Sequence, residues 1–155
     1  MENMEGIQLG VLTVERTFDA PIEEVFAAFT QPDLMSQWFY AFPKGKSRVE
    51  VDLRVGGKYS IDMMPDPSLG LGDEAGCGGG FLHHGEYLEI SPPNRLSFTW
   101  IKDGFVDYSV VVADFKQTVS GTLVTLTHHV PTDKIAPHTQ GWNLCLDSLE
   151  TFFNK

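Results

Sequence analysis

About six strand candidates follow one another along this chain, and that succession leaves few folds open. Residues 121–130 show the alternation most clearly, because Val124, Leu126 and His128 share one face while threonines occupy the other. Alternation with a period of two is typical of a strand with one buried face. Consecutive strands joined by tight turns pair antiparallel, so the pattern predicts a single curved antiparallel sheet.

Turn residues bound the other strand candidates. Gly56 and Gly57 separate two of them, and we interpret this pair as a hairpin turn because glycine adopts a positive φ without steric cost. Pro92 and Pro93 mark another turn. With the N-terminal strand included, the candidates are residues 11–18, 48–51, 58–64, 82–90, 95–101, 106–115 and 121–130.

Apolar residues occur at helical spacing in three places. Ile22, Val25, Phe26 and Phe29 form one stripe after Pro21, and proline is favourable at the first position of a helix. A second short helix is predicted around residues 34–39. The stripe of the last element, 136–153, consists of Trp142, Cys145, Leu146, Leu149 and Phe153. A helix of that length spans about 25 Å, which is enough to cross a small domain.

These elements together predict an α+β fold. A curved antiparallel sheet of six to seven strands wraps around the long C-terminal helix, and two short helices follow strand one. The C-terminal helix is the element large enough to cover the apolar face of the sheet. Because a sheet curved around one helix rarely packs solid, we expect a cavity between the two.

Length and charge narrow the possible functions. The 155 residues suit a single domain that covers residues 1–155. The net charge of −10 argues against nucleic-acid and anionic-membrane partners, which need clustered lysine and arginine. The sequence contains no apolar run of about 18 residues, so we expect no membrane span. Residues 1–10 lack the pattern of a secretory signal. With two cysteines, Cys77 and Cys145, we expect no disulfide scaffold and a cytoplasmic location.

Residues 65–80 interrupt the strand pattern because they are rich in glycine. We expect a mobile loop there rather than a domain boundary. A phosphate-binding loop is disfavoured, since the motif GxxxxGK[ST] is absent and the residues after Gly80 have the pattern of a strand, not of a helix. A flexible loop over the mouth of a pocket is the preferred interpretation.

Several short motifs follow one another in a characteristic order. They are FDAP at 18–21, DLRVGG at 52–57, GEYLEISPPNRL at 85–96 with FTW at 98–100, GTLVTLTH at 121–128 and GW at 141–142. In these motifs the chain resembles the START-like (birch-pollen-allergen-like, SRPBCC) superfamily, and within it the activator of heat-shock-protein-90 ATPase homologue family. The resemblance implies a helix-grip domain with a hydrophobic cavity. It does not select one function, because the superfamily includes ligand carriers, co-chaperone domains, polyketide cyclases and other enzymes.

Residues on the predicted inward faces form the candidate site. We expect them to bind a small apolar or aromatic molecule, oriented by the polar groups of Tyr59 and His128. The predicted ligand-binding residues are Trp38, Tyr59, Ile61, Met63, Phe98, Trp100, His128, Trp142 and Leu146. We assign no catalytic residue, no metal ligand and no cofactor.

Other functions stay open at this point. One inward histidine from each of the pairs 83–84 and 128–129 could bind a metal with a carboxylate, although HExxH and CxxC spacings are absent. The family name implies a co-chaperone or stress-response domain with a chaperone partner. A cyclase or hydrolase could use His128 or Tyr59 for acid–base chemistry. Exposed sheet edges could also pair two copies into a homodimer.

Overall fold

A first strand and two short helices precede a run of six strands and a long helix in this chain. The computed structural model describes residues 9–38, 46–64, 82–102 and 109–153. In chain order the elements are β1 (Leu9–Phe18), α1 (Ile22–Ala28), α2 (Pro32–Met35), β2 (Lys46–Val51), β3 (Lys58–Met64), β4 (Leu82–Ser91), β5 (Arg95–Lys102), β6 (Ser109–Thr118), β7 (Gly121–Pro131) and α3 (Ile135–Phe153). A short 3₁₀ turn, Thr132–Lys134, joins β7 to α3.

The strands form one sheet in the order β1-β7-β6-β5-β4-β3-β2, with every neighbouring pair antiparallel. Each strand from β2 onward pairs with the next one along the chain, and β1 returns to pair with β7. The predicted α+β helix-grip architecture is therefore confirmed. The sheet has β1 and β2 at its two edges, and a homodimer through these edges stays a prediction.

Alternation along the strands decides which side chains face the core. On β7, Val124, Leu126 and His128 are buried while His129 is exposed, as the sequence pattern predicts. On β4, His83 is buried and His84 is half-buried. At most one histidine of each adjacent pair was expected inside, and this expectation is confirmed.

The long helix α3 packs on the inner face of the sheet, with Trp142, Leu146 and Leu149 buried. At its exposed side, Arg16 Nη1 of β1 lies 2.8 Å from Asp147 Oδ1 and 3.0 Å from Glu150 Oε1. Exposed ion pairs of this kind contribute at most about 1 kcal/mol each. Apolar burial is therefore the main force that holds α3 on the sheet. In the part of the chain described, no helix is long and apolar enough to cross a membrane.

The second short helix ends earlier than the spacing predicts. It covers Pro32–Met35, and the following turn contains Trp38. In that turn the Trp38 backbone N–H bonds the Met35 carbonyl, an i to i−3 bond that tightens the chain beyond α-helical geometry. The Trp38 indole also donates to the Ala28 carbonyl at 2.8 Å, which fixes the turn against α1. Phe39 lies outside the described residues.

Strand β6 runs to Thr118, three residues beyond its predicted end, because its last residues pair with the start of β7. Its predicted start at 106 lies outside the described residues, as does the glycine-rich segment 65–80. A further difference concerns Cys145, which is buried on α3 and disulfide-bonded. The sequence did not predict that bond, and Cys77 lies outside the described residues.

Strands β4 and β5 approach closely at Gly85. A side chain at this position would overlap the carbonyl oxygen of Thr99 on β5. The Thr99 side chain reaches the same place from the other strand, because its Oγ1 accepts a hydrogen bond from the Glu86 N–H at 2.9 Å. A residue without a Cβ is thus required at position 85 for the two strands to keep this spacing.

We expect Gly85→Ala to lower the free energy of unfolding by about 2–3 kcal/mol, as overpacking against backbone does. Gly56→Ala is the matched control, because a Cβ added at position 56 would meet open space and the substitution strains only the positive φ of 86°. We expect it to cost about 1 kcal/mol. Urea unfolding measures both variants, and equal losses at the two positions would contradict the close approach.

Candidate functional site

A small void lies between strands β3, β4 and β5 and the short helices that follow β1. Its wall consists of Phe29, Met35, Tyr59, Ile61, Tyr87, Leu96, Phe98 and Trp100. The strand residues of this wall alternate along their strands, so they all project from the inner face of the sheet. Phe29 directly follows α1, and Met35 ends α2. The two short helices therefore close the void from the side opposite the sheet.

The void is much smaller than the cavity that the sequence led us to expect. Its volume is about 10 Å³, which is close to the minimum that one water molecule needs. A ligand-sized cavity is therefore not confirmed by this structure. This void lies against α1 and α2, and α3 contributes no residue to its wall. A cavity between the sheet and α3 therefore stays a prediction.

Aromatic rings pack around this void in edge-to-face and tilted pairs. The ring centroids of Tyr59 and Phe98 are 5.5 Å apart at 82°, and those of Tyr59 and Tyr87 are 5.5 Å apart. Behind the wall, Trp100 contacts Trp142 of α3 at 5.1 Å and His83 at 4.6 Å. Edge-to-face aromatic pairs add about 0.5–1.5 kcal/mol each to the stabilisation from burial. The wall is thus a set of mutually supporting rings.

The hydroxyl of Tyr59 is bonded within the protein. It donates to the carbonyl oxygen of Thr99 at 2.6 Å, and the side chain is fully enclosed. Burial raises the pKa of Tyr59 well above its ordinary value, and the neighbouring Tyr87 adds to the effect. The group is therefore a neutral phenol whose proton is already shared with backbone. An orienting contact from Tyr59 is then limited to its hydroxyl oxygen, which can still accept a hydrogen bond.

His128 is the centre of a buried chain of hydrogen bonds. The Trp142 indole N–H donates to His128 Nδ1 at 3.0 Å, so Nδ1 carries no proton. The neutral ring then has its proton on Nε2, which lies 2.8 Å from the Ser109 hydroxyl oxygen and donates to it. Ser109 in turn donates to the Trp100 carbonyl at 2.8 Å. Each of the three side-chain N–H and O–H groups in this series of hydrogen bonds therefore has an acceptor.

The surroundings of His128 keep its ring neutral. Burial lowers the pKa of His128 to about 3, with further lowering from His138, His129 and His83. Because both ring nitrogens are engaged and the charged form is disfavoured, His128 has no nitrogen available for a substrate proton. The acid–base roles considered for His128 and Tyr59 are not supported by this geometry.

The metal alternative lacks a ligand set in the ranges that the structure describes. No group of three or more His, Cys, Asp or Glu side chains lies there in an arrangement that could hold a metal ion. His83 packs on Trp100, and His128 is taken up by the hydrogen-bonded chain. The two inward histidines are thus parts of the core packing.

The structure brings part of the predicted site together. Tyr59, Ile61, Phe98 and Trp100 line the void as a group. The other predicted residues with described side chains, Trp38, His128, Trp142 and Leu146, are buried in the core but do not line it. Met63 lies in β3, and its side chain is outside the described set.

Sequence reasoning missed half of the wall: Phe29, Met35, Tyr87 and Leu96. The period-two pattern of β4 and β5 could have indicated Tyr87 and Leu96, because both occupy inward positions of predicted strands. Phe29 and Met35 were recognised as apolar helix residues. Nothing in their spacing showed which part of the sheet the short helices cover.

An open groove lies at the strands β2, β3 and β4, with a volume of about 410 Å³. Its rim carries acidic Glu50 and Asp52, basic Lys58, and the side chain of His84. Charges of both signs line it, so its electrostatics favour no particular ligand class.

Comparison with known protein families matches residues 19–154 to the family described as "Activator of Hsp90 ATPase homolog 1-like protein". No curated protein matches the sequence. The matched residues include every wall residue of the void.

Solved structures share the fold at low sequence identity. A protein from Chromobacterium violaceum has 25% identity and a TM-score of 0.73, and the match covers 94% of this chain and 97% of that one. A protein from Nitrosomonas europaea has 25% identity and a TM-score of 0.72, and the match covers 93% of this chain and 94% of that one. An AHSA1-like protein from Aeromonas hydrophila, solved in solution by NMR, has 24% identity and a TM-score of 0.75. That match covers 94% of this chain and 92% of the other.

The buried neutral His128 predicts that acid weakens the fold. An unfolded histidine binds a proton below about pH 6.5, whereas folded His128 stays neutral down to about pH 3. Between about pH 6.5 and pH 3 the unfolded state binds one proton that the folded state does not. The contribution of His128 to the free energy of unfolding therefore falls by about 1.4 kcal/mol for each pH unit of acidification. We expect His128→Gln to flatten the dependence of unfolding free energy on pH between 6 and 4. Val119→Ser, a non-titratable change at a fully exposed residue of the β6–β7 turn, provides the control and should keep the wild-type slope. A wild-type slope in His128→Gln would refute the assignment.

Proposed function

The chain belongs to the family of activator of Hsp90 ATPase homolog 1-like proteins, and we propose that it binds a small, uncharged, largely aromatic molecule at the void between β3–β5 and the short helices. The observation that carries this proposal is the wall itself. Five of its eight residues are aromatic, and the other three are aliphatic or methionine. Pockets for small molecules are lined mainly by apolar and aromatic side chains with few polar groups.

The wall also sets the charge of the ligand. None of the described residues that line the void is charged. An ionised group buried without a partner costs several kcal/mol or more. The proposal therefore excludes carboxylates and amines whose charge would lie inside the wall, and it favours neutral ring compounds that can pack against Phe98 and Trp100.

A ligand needs more room than the void provides. An apolar cavity of about 150 Å³ holds benzene, whereas this void measures about 10 Å³. Met35 is the wall residue best suited to move, because methionine is unbranched and has three rotatable bonds. Its backbone is held in place, because its N–H donates to the Gln31 carbonyl and its carbonyl accepts from the Trp38 N–H, so any movement falls to the side chain. The proposal requires the Met35 side chain to turn away from the strands when the ligand binds.

A second candidate is contact with a chaperone, since the family takes its name from an activator of the Hsp90 ATPase. The structural observation in its favour concerns Leu53, Val55 and Leu88, which are 40%, 65% and 43% exposed. The β2–β3 turn is attached to β4, because Gly56 N–H donates to the Tyr87 carbonyl at 2.9 Å. The backbone of the turn is therefore next to the residue before Leu88, and exposed apolar groups that lie close together are typical of protein contact sites.

Thermal unfolding with ethylbenzene tests the ligand proposal. We expect saturating ethylbenzene to raise the Tm by about 3 °C or more, because a ligand that binds the folded state stabilises it. Benzoate, which has a similar ring and a charge, should leave the Tm unchanged. Phe98→Leu removes a ring from the wall and should abolish most of the rise. Phe115→Leu removes an equally buried ring outside the wall and should keep it. A rise that both variants lose equally, or no rise at all, would count against the site.

The chaperone candidate predicts a change in the ATPase rate of a purified Hsp90-type chaperone when this protein is added. The double variant Val55→Ser/Leu88→Ser should weaken that effect about tenfold, as loss of a central apolar contact does. Val119→Ser serves as the control, because Val119 is fully exposed in the turn between β6 and β7. An ATPase rate that the protein leaves unaltered would remove this candidate.

A further inference from the structure

Strand β2 lies at one edge of the sheet and carries charges of both signs on its outward face. Of its described side chains, those of Arg48 and Glu50 are exposed, whereas Val49 and Val51 pack against the core from the other face. The ion pairs found among the described residues include neither Arg48 nor Glu50. Two opposite charges therefore lie on a strand edge, and the charges of the described residues leave both unpaired.

The backbone of β2 alternates in the direction of its hydrogen bonds. Directly after the strand, the Asp52 N–H donates to the Lys58 carbonyl of β3 at 2.9 Å. Alternate residues of an antiparallel strand bond the same neighbour, and the β2–β3 register is unbroken, so Arg48 and Glu50 also bond β3. The N–H and carbonyl of Val49 then point to the other side, toward the edge. A strand edge that presents such groups is a template for pairing with another chain.

A second copy of β2 fits this edge in one antiparallel register. With a two-fold axis at Val49, the two copies of Val49 form a hydrogen-bonded pair, and Arg48 of each copy lies opposite Glu50 of the other. Arg48 and Glu50 then occupy non-hydrogen-bonded positions, where facing Cα atoms are about 4.5 Å apart and side chains are closest. Opposite charges that face each other across two strands stabilise the pairing.

Other registers of the same pairing are repulsive. An axis at Arg48 places the two copies of Arg48 opposite one another, and an axis at Glu50 does the same with the two copies of Glu50. With the axis at Val51, Glu50 faces Asp52. Charges on an edge strand commonly prevent pairing, but the order of these charges along β2 attracts a second copy in one register. The charges thus specify how the two strands align.

The opposite edge of the sheet is less suited to a second copy. Asp147 and Glu150 of α3 lie against Arg16 of β1, and their side chains are 64% and 48% exposed. Symmetric pairing of β1 would bring α3 of both copies toward one junction, so these carboxylates would approach their equivalents. The net charge of −10 adds repulsion between two copies in any arrangement. An interface therefore needs local attraction, and the edge of β2 provides it.

We propose that two copies of this chain associate through their β2 edges, antiparallel and with the two-fold axis at Val49, so that their sheets become one continuous sheet. The contact between Arg48 and Glu50 then occurs twice, once on each side of the axis. A strand of six residues offers a small interface. We therefore expect a weak dimer, with a Kd on the order of tens of micromolar.

Sedimentation velocity over a series of protein concentrations tests this proposal. The wild-type protein should pass from the mass of one chain to twice that mass. Glu50→Arg leaves cations opposite cations, and Arg48→Glu leaves carboxylates opposite carboxylates. Each variant should raise the Kd about tenfold or more, because the change acts at both symmetric contacts. Mixed in equal amounts, the two variants present complementary edges, and we expect them to form a heterodimer with about the wild-type Kd.

Glu15→Arg is the matched control, since it makes the same change of charge at an exposed residue of β1, on the other edge of the sheet. It should leave the Kd of the dimer at or below the wild-type value. A wild-type protein that stays monomeric up to about 1 mM would overturn the proposal. Loss of the dimer in Glu15→Arg would do the same, as would a mixture of Glu50→Arg and Arg48→Glu that fails to associate.

Discussion

A buried chain of hydrogen bonds joins α3 to three strands of the sheet and holds one wall of the void in place. It runs from the Trp142 indole through His128 and Ser109 to the Trp100 carbonyl. A buried polar group stabilises the fold only when it is fully bonded, and in this chain each donor has one acceptor. The arrangement fixes both the tautomer of His128 and the distance between helix and sheet. The backbone of the wall residue Trp100 is therefore connected to α3 through these hydrogen bonds.

The same core explains why the void is small and apolar. The side chains of Tyr59 and His128 are engaged in internal hydrogen bonds, Tyr59 with the Thr99 carbonyl and His128 with Trp142 and Ser109. The side chains that face the void are aromatic or aliphatic, together with Met35. Met35 lies at the end of α2, a helix of four residues. Most of the aromatic residues of the wall lie on strands, so binding of a small neutral ring, as proposed, depends on movement of the Met35 side chain.

Much of the fold could be predicted from the sequence because alternation is a local signal. The period-two pattern of β7 placed His128 inside before any contact was known, and inward positions were also correct for Tyr59, Phe98 and Trp100. The partners of these groups could not be predicted, since Ser109 and Trp142 meet His128 only through strand register and helix placement. The size of the void depends on packing differences of about an ångström, which composition and spacing do not encode.

Methyl NMR of the protein during titration with ethylbenzene would measure where a neutral ring compound binds. The account predicts saturable shifts for the methyl groups of Ile61 and Met35, which line the void. The methyl groups of Val124 and Leu126, equally buried but away from it, should shift far less. Shifts at Val124 and Leu126 without any at Ile61 and Met35 would contradict the account, as would the absence of saturable shifts at all four residues.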